Sequence, residues 1–258
     1  MKILMAQLSV DDIEPSSLRI KRVTDILTAL DIDAFLVLPE LWISGAFSKN
    51  AYSKSALQEN EEFLSEFNKK VNVRQGVLGT FLVHNIHDKI VNRLIYISKN
   101  ANQLYYDKIH TFGVESEESK LVESGLSYLV DLESEYKFGF CICYDIRFPE
   151  LMRKLTYNGM EVLIVSAAWP ESRIDHWKKL LVARAIENQV FVIAVNAVGT
   201  QGGTKLGGNS IFISPQGDVL VELSDQEEFV EIELDYDSVR KTRAAFPVLG
   251  DIRILSIN

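Results

Sequence analysis

The sequence predicts a layered α/β fold built on one mixed β-sheet or on two packed sheets. Short apolar runs first alternate with helical patterns, and hairpin-like pairs of runs, such as 90–98 with 103–106, appear among them. Apolar residues make up 47% of the 258 residues, which is enough to fill a large core. No low-complexity linker, long charge block or internal repeat is present, so residues 1–258 are predicted to form a single domain.

The individual elements follow from local periodicity. Strands are predicted where short apolar or alternating runs occur, over 3–8, 34–38, 75–83, 90–98, 103–106, 127–131, 136–143, 161–167, 190–196, 208–213, 218–222 and 229–234. Helices are predicted over 17–30, 61–71, 149–157 and 174–188. Pro149 suits a first helical turn. The last helix has the clearest pattern, because Ile174, Trp177, Leu181 and Ala185 form an apolar stripe and Ser172 offers an N-cap.

Charge and cysteine content restrict the partners and the compartment. A formal net charge of −9 argues against nucleic acid and against anionic membrane as partners. No apolar run has the length of a membrane span, and the first ten residues do not resemble a signal peptide. Cys141 and Cys143 are two residues apart and would form a strained bridge, so both are interpreted as reduced thiols in a cytoplasmic protein.

Three reactive side chains each follow an apolar run. They are Glu40 after 35–38, Lys108 after 103–106 and Cys143 at the end of 138–143. Singly, each has an ordinary interpretation: a solvated carboxylate, a surface charge and a small buried apolar side chain. Together they supply a base, an ammonium group and a nucleophile, which suffice for acyl transfer from an amide. A helix beginning near Cys143 is expected to favour its thiolate form.

The segments around these residues resemble motifs of the nitrilase superfamily of carbon–nitrogen hydrolases. That family carries a Glu–Lys–Cys triad in this chain order, and the two separations here, 68 and 35 residues, suit it. The matching segments are LPELWISGAF around Glu40, YDKIHTFG around Lys108, CYDIRFPEL around Cys143, ESKLVESG at 118–125, the strand–loop–helix–strand at 167–199 and the late hairpin at 207–219. The resemblance therefore covers nearly the whole chain.

The resemblance implies a four-layer α-β-β-α sandwich of the nitrilase type, paired through a helix-bearing face into a homodimer or a higher homo-oligomer. It implies that Cys143 attacks the amide, that Glu40 acts as the base, and that Lys108 stabilises the oxyanion together with the backbone N–H of Tyr144. A second active-site glutamate falls on Glu118. No metal and no cofactor is implied.

Two arginines are candidate substrate ligands. Arg173 follows Trp169 in a loop that should border the pocket, where a guanidinium group could bind a substrate carboxylate. Arg147 could do the same, or could instead form a structural ion pair with Glu150 or Asp145. Trp169 is included as a substrate-binding residue on its position in the same loop.

The four histidines do not predict a metal site. His84 and His87 are three residues apart with no third ligand in view, and His110 is interpreted as packing the loop after Lys108. The glycines at 202, 203, 207 and 208 lack the Gly-Lys-Ser/Thr of a phosphate loop and are interpreted as hairpin glycines.

Within the superfamily, the sequence most resembles the ω-amidase branch. The resemblance rests on the segments CYDIRFPEL, AAWPESRIDHW and ARAIENQ. Members of that branch hydrolyse 2-oxoglutaramate and 2-oxosuccinamate to 2-oxo acids and ammonia. The alternatives are another hydrolase of the superfamily, acting on N-carbamoyl amides or deaminated glutathione, and a catalytically silent homologue that serves as a scaffold.

Overall fold

The computed structural model describes residues 1–29, 34–70, 76–97, 103–113, 117–125, 130–131 and 136–253. Two six-stranded sheets run through them. The first contains β1 (Lys2–Gln7), β2 (Ala34–Val37), β3 (Gly76–His84), β4 (Ile90–Ile97), β5 (Gln103–Asp107) and β14 (Glu228–Glu233). The second contains β6 (Val130–Asp131), β7 (Phe138–Ile142), β8 (Val162–Ala167), β9 (Phe191–Asn196), β12 (Ile211–Ile213) and β13 (Val219–Glu222), and a separate hairpin joins β10 (Val198–Gln201) to β11 (Thr204–Gly207).

The helices connect or cover these sheets. They are α1 (Ser16–Ala29), α2 (Lys54–Lys70), α3 (Glu117–Leu121), α4 (Pro149–Tyr157), α5 (Ile174–Asn188) and α6 (Tyr236–Ala245). Over the described part of the chain, none of them combines the length and the apolar character that a membrane-spanning helix requires.

Strand direction decides where the loops of the first sheet meet. Its order is β14-β1-β2-β3-β4-β5, with β1, β2 and β3 parallel and β4 antiparallel to both of its neighbours. Strand β5 therefore runs in the same direction as β2. The carboxyl ends of β2 and β5 and the amino end of β4 consequently lie at one edge of the sheet.

The second sheet places its loops at the same edge. Its order is β13-β12-β9-β8-β7-β6, and β7, β8 and β9 are parallel. The end of β8 reaches the loop after β2, because the Glu40 amide donates to the Ala167 carbonyl at 3.2 Å and the Ser166 hydroxyl donates to the Leu38 carbonyl at 2.7 Å. Residues that follow β2, β5, β7 and β8 are thereby brought together.

The two sheets pack face to face, with helices outside both. Between the sheets, the Phe35 ring stacks on the Phe138 ring with centroids 5.9 Å apart. On the outer face of the first sheet, Val23 of α1 and Leu64 of α2 join the apolar cluster around Leu36. Helices α4 and α5 cover the outer face of the second sheet through their buried apolar residues. The predicted four-layer α-β-β-α sandwich is confirmed.

Several element boundaries differ from the sequence-based prediction. Helix α2 begins at Lys54 rather than at residue 61, because the Ser53 hydroxyl caps it by accepting from the Ala56 amide at 3.2 Å. Strand β12 begins at Ile211 rather than at 208, since Gly208 and Asn209 have φ angles of 54° and 52°.

Some elements were not predicted, and parts of others lie outside the described residues. Helix α6 was not predicted, and it begins after Asp235, whose carboxylate accepts from the Asp237 amide. The described residues do not include 30, 71, 75, 98 and 127–129, which belong to predicted elements.

Candidate active site

Four of the predicted site residues line one cavity at the shared edge of the two sheets. Glu40 follows β2, Lys108 follows β5, Cys143 follows β7, and Glu118 lies on α3. The cavity has a volume of about 430 Å³. Its other described lining residues are Ala46, Phe47, Ser48, Lys49, Tyr52, Phe112 and Gly202.

Lys108 is held between two carboxylates. Its Nζ lies 2.7 Å from Glu40 Oε1, and 2.8 and 3.0 Å from the two oxygens of Glu118. All three side chains are buried, and Lys108 is only 1% exposed. Desolvation acts to lower the pKa of Lys108, but the charges of Glu118 and Glu40 outweigh it and raise the pKa well above its usual value. The ammonium group is therefore charged and fixed in position.

A buried asparagine joins this network. The Asn92 amide donates from Nδ2 to Glu40 Oε1 at 2.9 Å and to Glu118 Oε1 at 3.3 Å. Asn92 lies on β4, next to Lys108, whose backbone amide donates to the Asn92 carbonyl at 2.9 Å. Asn92 was not predicted as a site residue, although a polar residue inside the apolar run of a strand is a signal for one.

The second oxygen of Glu40 faces the loop after β8. Its Oε2 accepts from the Ala168 amide at 3.1 Å, and the Cys143 thiol lies near enough to the carboxylate to affect its pKa. Burial raises the pKa of Glu40, the positive charge of Lys108 opposes this rise, and the net result is a pKa above the usual 4.5. The carboxylate thus binds the ammonium group and shares the cavity with the thiol, as a proton carrier would require.

Cys143 occupies a strained turn. Its φ angle is +45°, which is uncommon for a residue with a Cβ atom. The Asp145 carboxylate, itself fully buried, stabilises the turn by accepting from the Ile142 amide at 3.0 Å and from the Tyr106 hydroxyl at 2.7 Å. The turn aims the Cys143 side chain at the cavity instead of along β7.

The expectation that a helix terminus favours the Cys143 thiolate is wrong for the resting site. Cys143 opens a short 3-10 turn (Cys143–Arg147), and α4 begins only at Pro149. Burial, reinforced by the nearby charge of Glu40, raises the pKa of Cys143 well above its usual value. The thiol is therefore neutral at rest and needs a base to become a nucleophile.

The four predicted substrate-binding residues lie beside the cavity, and none is among its described lining residues. The guanidinium group of Arg147 lies over the Trp169 ring at 4.6 Å and over the Tyr144 ring at 5.7 Å. Arg173 is exposed, with its guanidinium group 5.8 Å from the centre of the Phe112 ring. Trp169 is buried, and its indole N–H donates to the Arg173 carbonyl at 2.8 Å.

The alternative interpretation of Arg147 as a member of an ion pair finds no support in the described residues. No carboxylate there lies within ion-pair distance of its guanidinium group. Asp145, one of the two proposed partners, instead contacts His110, whose Nδ1 lies 2.8 Å from its carboxylate. His110 also stacks on Phe148, so it packs the loop as the sequence indicated.

One further cysteine, Cys141, is not among the described residues that line the cavity. Cys141 is fully buried on β7 and, like Cys143, is a free thiol. Within the described ranges, no group of three His, Cys, Asp or Glu side chains is arranged to hold a metal ion.

A thiol, a buried carboxylate and a fixed ammonium group in one cavity of an α-β-β-α sandwich are the groups that acyl transfer through a cysteine requires. The profile of the carbon–nitrogen hydrolase family matches residues 29–244. The chain belongs to this family and is a hydrolase of carbon–nitrogen bonds, so the predicted resemblance is confirmed.

Similar proteins support the same assignment. The 2-oxoglutaramate amidase of Paenarthrobacter nicotinovorans is 34% identical, over 97% of this chain and 89% of that protein. The 2-oxoglutaramate amidase of Bacillus subtilis is 38% identical, over 84% of each chain. The structure of a CN-hydrolase superfamily protein from Xanthomonas campestris, which carries an arsenic adduct in its active site, superposes with a TM-score of 0.87 at 27% identity, over 100% of this chain and 99% of that one.

Replacing Asn92 with alanine is expected to move the acid limb of the pH–rate profile to higher pH. A donor to a carboxylate favours its charged form, so removing the Asn92 amide should raise the pKa of Glu40 further above 4.5. Because Glu40 is proposed to act as a carboxylate, activity on the acid side should be lost at a higher pH than in the wild type. Measuring kcat/KM from pH 4 to 9 for both proteins tests this, and a lower rate with an unshifted limb would contradict it.

Proposed function

We propose that this protein is an ω-amidase, which hydrolyses a small amide bearing a carboxylate at its far end, such as 2-oxoglutaramate or 2-oxosuccinamate. The products are the 2-oxo acid and ammonia. The observation that carries the proposal is that Glu40 binds the Lys108 ammonium group and shares one cavity with the Cys143 thiol. The 2-oxoglutaramate amidase activity of two similar proteins supports the substrate class.

The first half of the reaction forms a thioester. Glu40 takes the thiol proton as the Cys143 sulfur attacks the amide carbonyl, and the negative charge moves to the carbonyl oxygen. Lys108 and the backbone N–H of Tyr144 stabilise that oxyanion. When the intermediate collapses, the carbon–nitrogen bond breaks, Glu40 returns its proton to the nitrogen, and ammonia leaves.

The second half reverses the proton movement with water. Glu40, again a carboxylate, takes a proton from a water molecule as the water oxygen attacks the thioester carbonyl. The carbon–sulfur bond then breaks, the proton returns to sulfur, and the acid is released. A raised pKa suits Glu40 to this double role, since a group that both accepts and returns a proton works best near the operating pH.

Glu118 and Asn92 act by positioning. Glu118 contacts Lys108 through both of its oxygens, and its Oε2 also accepts from the Phe112 amide at 2.8 Å. This fixes the ammonium group on the side of the cavity where the oxyanion forms. Asn92 spans the two carboxylates and limits their rotation.

The far end of the substrate requires a cation. The candidates predicted from the sequence are Arg147 and Arg173. Together with Trp169, they are proposed to lie close enough to a bound substrate to help bind its carboxylate. Two contacts support this proposal. The Arg173 guanidinium group lies over the ring of Phe112, which lines the cavity, and the Arg147 guanidinium group lies over the ring of Tyr144, which follows the proposed nucleophile.

We also propose that residues 1–258 form one domain of a cytoplasmic homodimer or higher homo-oligomer. Exposed apolar residues on the outer helical layer support pairing through that layer. Tyr157 of α4 is 45% exposed and Ile186 of α5 is 50% exposed. The two free cysteines suit a reducing compartment.

Ammonia release from a substrate panel tests the proposal. The panel contains 2-oxoglutaramate, 2-oxosuccinamate, the methyl ester of the first compound, butyramide, an N-carbamoyl amino acid and a nitrile. We expect both ω-amides to exceed the neutral amide and the ester by about a hundredfold in kcat/KM, as for the loss of a charged hydrogen-bond partner. The Cys143→Ala variant, purified in the same way, gives the background.

Each other outcome identifies an alternative. Fastest turnover of the N-carbamoyl compound would reject the ω-amidase assignment in favour of another carbon–nitrogen hydrolase. Equal rates on acid and ester would reject carboxylate recognition. No ammonia from any compound would favour a silent scaffold.

A further inference from the structure

The catalytic end of the cavity carries an excess of negative charge. Two carboxylates, Glu40 and Glu118, face one ammonium group, that of Lys108, which leaves a formal charge of −1. A substrate that carries its own carboxylate would enter against this charge. The cavity therefore needs a second cation if an anionic amide is to bind with its amide end at Cys143.

Lys49 is the second cationic residue among the described residues that line the cavity. Its side chain is exposed, in contrast to that of Lys108, so it belongs to the outer part of the cavity. No carboxylate of the described residues lies within ion-pair distance of its ammonium group. Lys49 thus offers a cationic group that forms no direct ion pair with a described carboxylate, in the exposed part of the cavity.

Lys49 also lines a second, acidic cavity, together with Asp11, Asp12, Glu14, Glu59 and Glu62. The Asp12 carboxylate accepts from the Ser48 hydroxyl and, at 2.7 Å, from the Gly202 amide. Glu14 pairs with Arg22, and Glu59 accepts from the Ser16 hydroxyl. Asp12, Glu14 and Glu59 thus have hydrogen-bond partners other than Lys49, which keeps its ammonium group free of a direct ion pair with them, although their negative charges remain close to it.

The backbone just before Lys49 is held by the neighbouring hairpin. The Gln201 side chain, fully buried, accepts from the Ala46 amide at 2.8 Å and from the Phe47 amide at 3.0 Å. Gly202 allows this close approach, because a Cβ atom there would lie 2.2 Å from the Phe47 carbonyl oxygen. Lys49 is consequently presented from a fixed loop, which reduces the entropy lost when it binds a partner.

We propose that Lys49 binds the carboxylate at the far end of the substrate and so determines the specificity for ω-amides over neutral amides. The inference rests on the proposed function and adds the residue that recognises the substrate carboxylate. Lys49 lines the cavity itself, whereas Arg147 and Arg173 are not among its described lining residues. When Lys49 binds the substrate carboxylate, the amide group at the other end of the substrate lies at Cys143.

The test is the ratio of kcat/KM for 2-oxoglutaramate to that for its methyl ester. It is measured in the wild type and in the variants Lys49→Met, Lys49→Arg and Lys54→Met. Methionine keeps the length of the side chain but removes the charge. Lys54 is a matched control, because it is an exposed lysine five residues away that does not line the cavity.

We expect a wild-type ratio of about a hundred, a fall to within about threefold of unity in Lys49→Met, and recovery of most of the preference in Lys49→Arg. Lys54→Met should keep the wild-type ratio. Raising the ionic strength should lower kcat/KM for the acid in the wild type more than in Lys49→Met.

A wild-type ratio retained in Lys49→Met would overturn the inference while leaving the ω-amidase proposal intact. Arg173→Met and Arg147→Met then show which guanidinium group replaces it, since loss of the ratio in either would assign the contact there. A wild-type protein without any acid preference would instead reject the proposed function itself.

Discussion

Cys143→Ala should lower amide hydrolysis to below about a hundredth of the wild-type rate, while the melting temperature stays within about three degrees. The residue faces the cavity and is 6% exposed, so removing its sulfur leaves little unfilled core volume. Alanine also adds no backbone strain, because it tolerates the φ angle of +45° as well as cysteine does. Ammonia release and thermal unfolding, measured on the same preparation, test the two halves of this expectation.

Cys141→Ala is the matched control. Cys141 lies two residues away on β7, is fully buried and has a pKa that burial raises well above its usual value. Its loss should cost about 1 kcal/mol of stability through packing and leave most of the turnover. If Cys143→Ala kept more than a few per cent of activity, the thioester pathway would have to be abandoned. If Cys141→Ala were equally inactive, the loss could not be assigned to a nucleophile.

The layered α/β fold and the reactive residues at the strand ends could be predicted from the sequence, because both depend on local patterns. Alternating strands and helices predicted the layered α/β fold, and Glu40, Lys108 and Cys143 were recognisable as reactive groups just after apolar runs. Helix α6 escaped prediction since its segment is rich in charged residues and lacks a clear apolar stripe. The true end of β7 at Ile142 depends on Asp145, whose role in the turn is visible only in three dimensions.

The remaining parts of the site depend on contacts between distant residues. Asn92 reaches Glu40 across 52 positions, and its role follows from the pairing of β4 with β5. The position of Lys49 depends on Gln201, which contacts the loop from more than 150 residues away. Neither contact leaves a periodic or spacing signal in the chain. Glu40, Lys108, Cys143 and Glu118 were therefore predicted from the sequence, whereas Asn92 and Lys49 were not.

Glu40→Gln should also remove turnover, by a factor comparable with that of Cys143→Ala. A neutral amide cannot accept the thiol proton, and the raised pKa of Cys143 makes an unassisted thiolate rare near neutral pH. The substitution should cost about 1–3 kcal/mol of stability as well. Glu40 Oε1 faces donors from Lys108 and Asn92, and Oε2 faces the Ala168 amide, so either orientation of a glutamine sets its NH₂ group against a donor.

The double variant Glu40→Gln, Cys143→Ala gives the sharper measurement. If the two groups act in one proton transfer, the double variant should be no slower than Cys143→Ala alone. Removing either group already abolishes the step that both perform. Glu123→Gln, the same substitution at an exposed glutamate outside the cavity lining, should retain wild-type turnover. Near-normal turnover of Glu40→Gln would show that another carboxylate serves as the base. Glu118, which also pairs with Lys108, would then act as the base. The thiol proton would be transferred to Glu118 instead of Glu40.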